Sequence, residues 1–182
     1  GVVNITTKTG GTKLAGNFDY KTDNGLSDFG NSYNTDYISF NLGGPLPLSK
    51  GKMNFFTSGN INLTDTWQDN QRRRDELGWL GLSINERQDN TLNLNAKLNY
   101  DFKDNLQMTF SYNDANKNWS NYNWLWHLSP DNMAQYNRNT RRYNFRLNHF
   151  LSKSTFYNVN IGYMTVNYNA SIDGSTEPDE WW

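Results

Sequence analysis

Residues 91–102 read Thr-Leu-Asn-Leu-Asn-Ala-Lys-Leu-Asn-Tyr-Asp-Phe. Leu92, Leu94, Ala96, Leu98, Tyr100 and Phe102 take every second position, and Asn93, Asn95, Lys97, Asn99 and Asp101 fill the places between. Successive side chains of a strand point to opposite faces. The segment is therefore a strand with one apolar wall and one wet wall.

The same two-residue rhythm recurs outward in both directions, and helical periodicity is nearly absent. In 106–113, Leu106, Met108, Phe110 and Tyr112 oppose Gln107, Thr109, Ser111 and Asn113. In 142–151, Tyr143, Phe145, Leu147, His149 and Leu151 oppose Arg142, Asn144, Arg146 and Asn148. In 156–163, Tyr157, Val159, Ile161 and Tyr163 oppose Asn158, Asn160 and Gly162. Segments 13–20, 38–42 and 53–63 repeat the pattern, and a Val/Ile/Thr run stands at 2–7. The expected fold is all-β, an antiparallel up-and-down meander of seven to eight strands. Connections alternate in length. Short ones fall at 103–105 and 152–154, with a Gly/Pro turn at 43–52, and long ones near 21–33, 64–90 and 114–140. Short turns at one end and long loops at the other are the plan of an outer-membrane barrel, whose strands of about 9–11 residues cross at a tilt.

Composition agrees once it is divided between the two faces. The 182 residues have only 35% hydrophobic side chains and a mean hydropathy of -0.90, yet 15% are aromatic. No stretch reaches the roughly 20 apolar residues of a transmembrane helix. Half-apolar strands escape that test. Thirty asparagines fill much of the polar wall, an uncharged donor–acceptor surface suited to a wet or plugged lumen. Tyrosine and phenylalanine gather toward strand ends, as in the girdles of membrane barrels. Seventeen basic and eighteen acidic groups give a net charge of -1, so nothing indicates a nucleic-acid partner. With no cysteine, disulfides, thiol catalysis and cysteine-ligated zinc drop out. No nucleophile elbow, phosphate loop or metal-ligand spacing stands out, so neither an enzyme nor a cofactor is expected.

The opening run Gly1-Val2-Val3-Asn4-Ile5-Thr6-Thr7-Lys8-Thr9-Gly10 resembles the end of the plug domain of TonB-dependent outer-membrane transporters. Residues 10–20, GGTKLAGNFDY, are similar to the first barrel strand of that family, and residues 38–59, ISFNLGGPLPLSKGKMNFFTSG, to its next hairpin. The resemblance covers residues 1–63; beyond that only strand rhythm and loop alternation agree. It implies residues 1–11 as the end of the plug with its linker, and 12–182 as the N-terminal part of a barrel of twenty-two strands when complete. It further implies the bacterial outer membrane, contact with its lipid, and uptake of a scarce siderophore, cobalamin, glycan or peptide. The TonB complex would act through an N-terminal part beyond this sequence, since both termini read as cut edges of a longer protein.

Candidate ligand contacts lie in the long connections. Trp119, Tyr122, Trp124 and Trp126, followed by Arg138 and Arg141, combine stacking faces with guanidinium forks. Such an extracellular cluster would capture ligand or meet a surface lipoprotein partner. Trp67 and Arg73 form a second, weaker candidate in 64–90, where internal ion pairing is the plain explanation. His127 joins the tryptophans and His149 sits near a short turn, with no second metal ligand near either. Two other readings compete: a complete eight-stranded barrel of structural or adhesive role, which requires the first and last strands to pair, and a soluble sugar-binding module, which requires a second sheet over the Leu92–Phe102 face.

Overall fold

The computed structural model describes residues 10–23, 32–47, 49–65 and 76–172. The Val/Ile/Thr run, all of the plug-like opening except Gly10, Trp67 and Arg73 lie outside the described residues. Seven strands form one antiparallel sheet: β1 (Ala15–Thr22), β2 (Asp36–Pro45), β3 (Met53–Thr64), β6 (Asp89–Lys103), β7 (Leu106–Ser120), β8 (Gln135–Phe150) and β9 (Phe156–Ser171). Their spatial order is their chain order. Between β3 and β6 a separate hairpin, β4 (Glu76–Trp79) with β5 (Leu82–Asn85), makes a two-stranded sheet. All seven amphipathic segments of the sequence are strands of the main sheet.

Cross-strand register shows why alternation organises the whole sheet. Phe18 stands opposite Phe40, and Ile38 opposite Ile61, which stands opposite Leu92. Leu98, Phe110, Phe145 and Ile161 form one continuous row, as do Tyr112, Tyr143 and Tyr163. Paired residues share a face, so one face carries an apolar band. Its upper edge in β7–β9 is the tyrosine row, with ring centroids 5.1 Å apart for Tyr112–Tyr143 and 6.3 Å for Tyr143–Tyr163. Near its lower edge stand Tyr100 in β6 and the His149–Tyr157 pair, whose imidazole and hydroxyl lie 3.0 Å apart. The band runs nine residues in β6, from Leu92 to Tyr100, and seven in β8, from Tyr143 to His149, about 20–26 Å of strand.

The band runs obliquely. The row Tyr20–Ile38–Ile61–Leu92 continues across the sheet into Asn116, Asn139 and Asn167, whereas the tyrosine row stands four residues lower. Leu92 is buried, but Phe18, Ile161 and Tyr163 are each more than 60% exposed on this face. Among the described residues no second sheet covers it, because the only other sheet is β4–β5. The described residues do not supply the covering that a soluble sandwich requires. Nor does β1 pair with β9, so these strands do not close into a ring as a complete eight-stranded barrel would.

Several boundaries differ from expectation. The Gly/Pro turn expected at 43–52 is shorter, because Gly43, Gly44 and Pro45 complete β2 opposite Phe56, Phe55 and Asn54. The turn lies beyond Pro45, with the Ser49 hydroxyl donating to the Leu46 carbonyl at 2.7 Å. The glycines serve close approach instead. A Cβ on Gly43 would lie 2.9 Å from the Phe56 ring and 3.4 Å from Gly10 Cα, and one on Gly44 would lie 2.7 Å from Leu14 Cα. Gly43 is paired with Phe56, which is paired with Lys97. The chain at Gly10 therefore crosses on the polar side of the sheet, at its short-turn end. The β4–β5 hairpin escaped the sequence reading because its two-residue turn is Leu80-Gly81, both at positive φ (50° and 80°). Leucine is a poor marker for a turn that normally carries Asn or Gly there.

Candidate functional site

The connection expected at 114–140 is only 121–134, because β7 and β8 extend well past the apolar band. Above the band both faces are polar, so hydrophobic alternation fades while the ladder continues. Trp119, Arg138 and Arg141 are consequently strand residues rather than loop residues. Tyr122, Trp124 and Trp126 remain in the connection, the last two in a 3-10 turn at Trp124–Trp126.

The expected cluster divides into three places. Trp119 and Arg138 stand on the polar face. Trp119 pairs directly with Tyr136, their rings stacked at 5.4 Å and 22°. Tyr168 joins them, 6.1 Å from Trp119 and 6.3 Å from Tyr136. Ala170 stands opposite Tyr136 and leaves room for that ring. Lys117 lies 5.4 Å above the Trp119 ring and pairs with Asp89 at 3.0 Å. Arg138 is placed opposite both Lys117 and Tyr168. The result is a strip of three rings edged by cations. Tyr168 was missed because its membership depends on register, which periodicity within one strand cannot supply.

Arg141 stands on the opposite face, above the tyrosine row. Its guanidinium Nε lies 3.4 Å from Asp114, which also accepts from the Tyr112 hydroxyl at 2.8 Å and the Asn139 amide at 3.3 Å. Around this carboxylate, Asn137 donates to Asn116 and Asn118, and Asn118 donates to Asn116. Arg141 thus holds a polar network together and is not aimed at the ring strip. A hollow of about 230 Å³ lies among Asn118, Asn137, Asn169 and the Leu77 and Glu86 side chains.

The loop tip is a third surface. Trp124, Leu125 and Leu128 are more than two-thirds exposed, and His127 stacks on Trp124 at 4.3 Å and 9°. Asn123 fixes the turn by accepting from the Leu125 N–H at 3.0 Å. Buried Met133 anchors its far side. At the base of the β1–β2 connection, Asp23 acts as a clasp. It accepts from the Tyr33 and Thr35 N–H groups at 2.8 and 2.6 Å and from the Ser32 hydroxyl at 3.1 Å. Desolvation works to raise its pKa, but these hydrogen bonds to the ionised form outweigh it and hold the carboxyl below its usual range. Among the described residues no group of three His, Cys, Asp or Glu side chains is placed to hold a metal. No family model, curated protein or solved structure matches the chain.

Proposed function

We propose that this chain is part of the wall of a TonB-dependent transporter in the bacterial outer membrane, taking up a scarce ligand through a plugged barrel. The observation that carries the reading is the apolar band. One face of an open-edged meander presents Leu98, Phe110, Phe145 and Ile161 behind a tyrosine row, and the opposite face presents Asn, Ser, Thr, Lys and Arg. In water such a face costs free energy over its whole area; against lipid it costs nothing. The oblique course of the band supports the same reading. Strands tilted by about 35–45° shift a level line by about one residue per strand, and four residues across this sheet is of that order.

The crossing at Gly10 favours a plugged barrel over an empty one. Chain arriving on the polar side at the short-turn end is what a plug inside the lumen would send out. The family resemblance of residues 1–63 supplies the transport role, with the TonB complex pulling on the plug and lipid on the outer face. The exposed Trp124–Leu128 tip suits contact with a surface lipoprotein or with ligand.

The test exploits the cysteine-free sequence. Single cysteines at 158–161 of the full-length protein are labelled in outer membranes with a water-soluble maleimide. Asn158 and Asn160 positions should label and Val159 and Ile161 positions should not. Equal labelling of all four, or recovery of the protein in the soluble fraction, would refute the assignment.

A further inference from the structure

The ring strip stands at the head of a charge pattern that the transporter reading does not by itself explain. On the polar face of β8, Arg138, Arg142 and Arg146 recur at every fourth residue, and all three are exposed. Their spacing is about 13 Å, so the column covers about 27 Å of strand. None makes an ion pair with another described residue; Arg142 donates a hydrogen bond to the Met164 sulfur at 3.4 Å. Their neighbours explain this. Across the ladder to β7 stand Lys117, Asn113 and Thr109, and across to β9 stand Tyr168, Met164 and Asn160. Neither flanking strand places a carboxylate on this face. The acids on this face of β6, Asp89 and Asp101, stand two strands away, and Asp89 is already engaged by Lys117.

A column of exposed like charges presents a continuous positive potential to an anion that lies along it. A compact monoanion would meet one guanidinium, so the spacing calls for an extended polyanion. The rings at its upper end add a second requirement. Trp119 and Tyr136 stack on one another and leave no slot for a flat base, but together with Tyr168 they form an apolar strip with hydroxyls along it. A sugar ring, with a C–H face and hydroxyl edges, matches that surface. Between Arg142 and Arg146 stands Asn144, and beside and beyond Arg146 stand Asn160, Asn148 and Asn158, uncharged groups suited to hydroxyls.

We propose that the polar face of β7–β9 is a track for an acidic oligosaccharide, stacked on Trp119, Tyr136 and Tyr168, with its carboxylates taken in turn by Arg138, Arg142 and Arg146. Bidentate guanidinium–carboxylate pairing supplies the selectivity for acid over neutral sugar. This rests on the reading of the polar face as the lining of a transport passage.

The test uses the full-length protein in detergent micelles, with octagalacturonate and maltooctaose, each long enough to lie along the whole column, as matched acidic and neutral probes, followed by calorimetry. Octagalacturonate should bind at least tenfold more tightly, and less tightly as salt rises. The R138Q/R142Q/R146Q variant should lose at least tenfold for octagalacturonate while maltooctaose is unchanged, and Trp119→Ala should weaken both. Where the triple variant is not recovered folded, Arg142→Gln alone should still lose several-fold for the acidic sugar only. Equal affinity for the two sugars would overturn the proposal. So would tighter binding of oligothymidylate or of benzene-1,3,5-tricarboxylate than of octagalacturonate. The labelling test at 158–161 separates the two claims. Acid-selective binding without alternate labelling sinks the membrane reading alone, and alternate labelling without acid selectivity sinks this one alone.

Discussion

Two aspartates decide local order at the long-loop end, by different means. Asp23 gathers three hydrogen bonds from the far side of its loop. Its pKa is lowered in the folded protein, so the clasp contributes above the ordinary aspartate value of about 3.9 and is lost as pH falls through the lower folded value. Titration followed at the Thr35 amide resonance should show a midpoint below that of an unperturbed aspartate. Asp23→Asn replaces one acceptor oxygen by an amide nitrogen. Exchange of the Tyr33 and Thr35 amides should then quicken about tenfold at neutral pH. Asp114 is nearly buried, with a side-chain exposure of 3%, while its partner Arg141 is 52% exposed. Solvent already screens the arginine, so Asp114→Asn should cost about 1–2 kcal/mol in urea unfolding of the micelle-bound protein rather than the larger amount of a fully buried pair. Neither role was legible in the sequence. Both depend on which strands are neighbours, and an isolated Asp next to Asn reads as a turn residue.

At the scale of the strand, legibility was high wherever one face is apolar and the other wet. All seven amphipathic segments are strands because alternation itself is the physical cause of their placement. It failed in three places, each for a definite reason. Past the tyrosine row β7 and β8 are polar on both faces, so their upper ends read as loop and carried Trp119, Arg138 and Arg141 with them. Gly43 and Gly44 read as turn residues although they allow the crossing at Gly10. The β4–β5 turn puts a leucine at positive φ. The face assignment makes a quantitative prediction on β9. Ile161→Lys, in the apolar band, should destabilise the membrane-inserted protein by about 2–4 kcal/mol, and Asn160→Lys, one residue away on the polar face, by less than about 1 kcal/mol. Similar costs at both positions, measured by denaturant titration in lipid vesicles, would contradict the division of the faces.

For the molecule as a whole, the two outer strands are unequal. β1 has eight residues and β9 has sixteen, and neither is paired on its outer side with another described strand. Open edges next to exposed apolar surface invite association. Residues 10–172, produced alone in buffer, should elute as heterogeneous oligomers and become uniform when a short-chain detergent is added. A single monodisperse monomer in buffer would count against an apolar face that needs lipid.

The agreement of spatial order with chain order also has a temporal side. Among the described residues every strand of the main sheet pairs only with its neighbours in chain order, and the longest connection, 65–88 between β3 and β6, holds the β4–β5 hairpin. Closing such contacts requires loops of at most about two dozen residues, and the closure cost grows only slowly with loop length. The wall can therefore grow one hairpin at a time in the order in which the chain is delivered. At each stage the newest strand is the template for the next. The sixteen residues of β9 are left as a long growing edge, while the eight residues of β1 wait as the shorter seam at which a ring would finally be sealed.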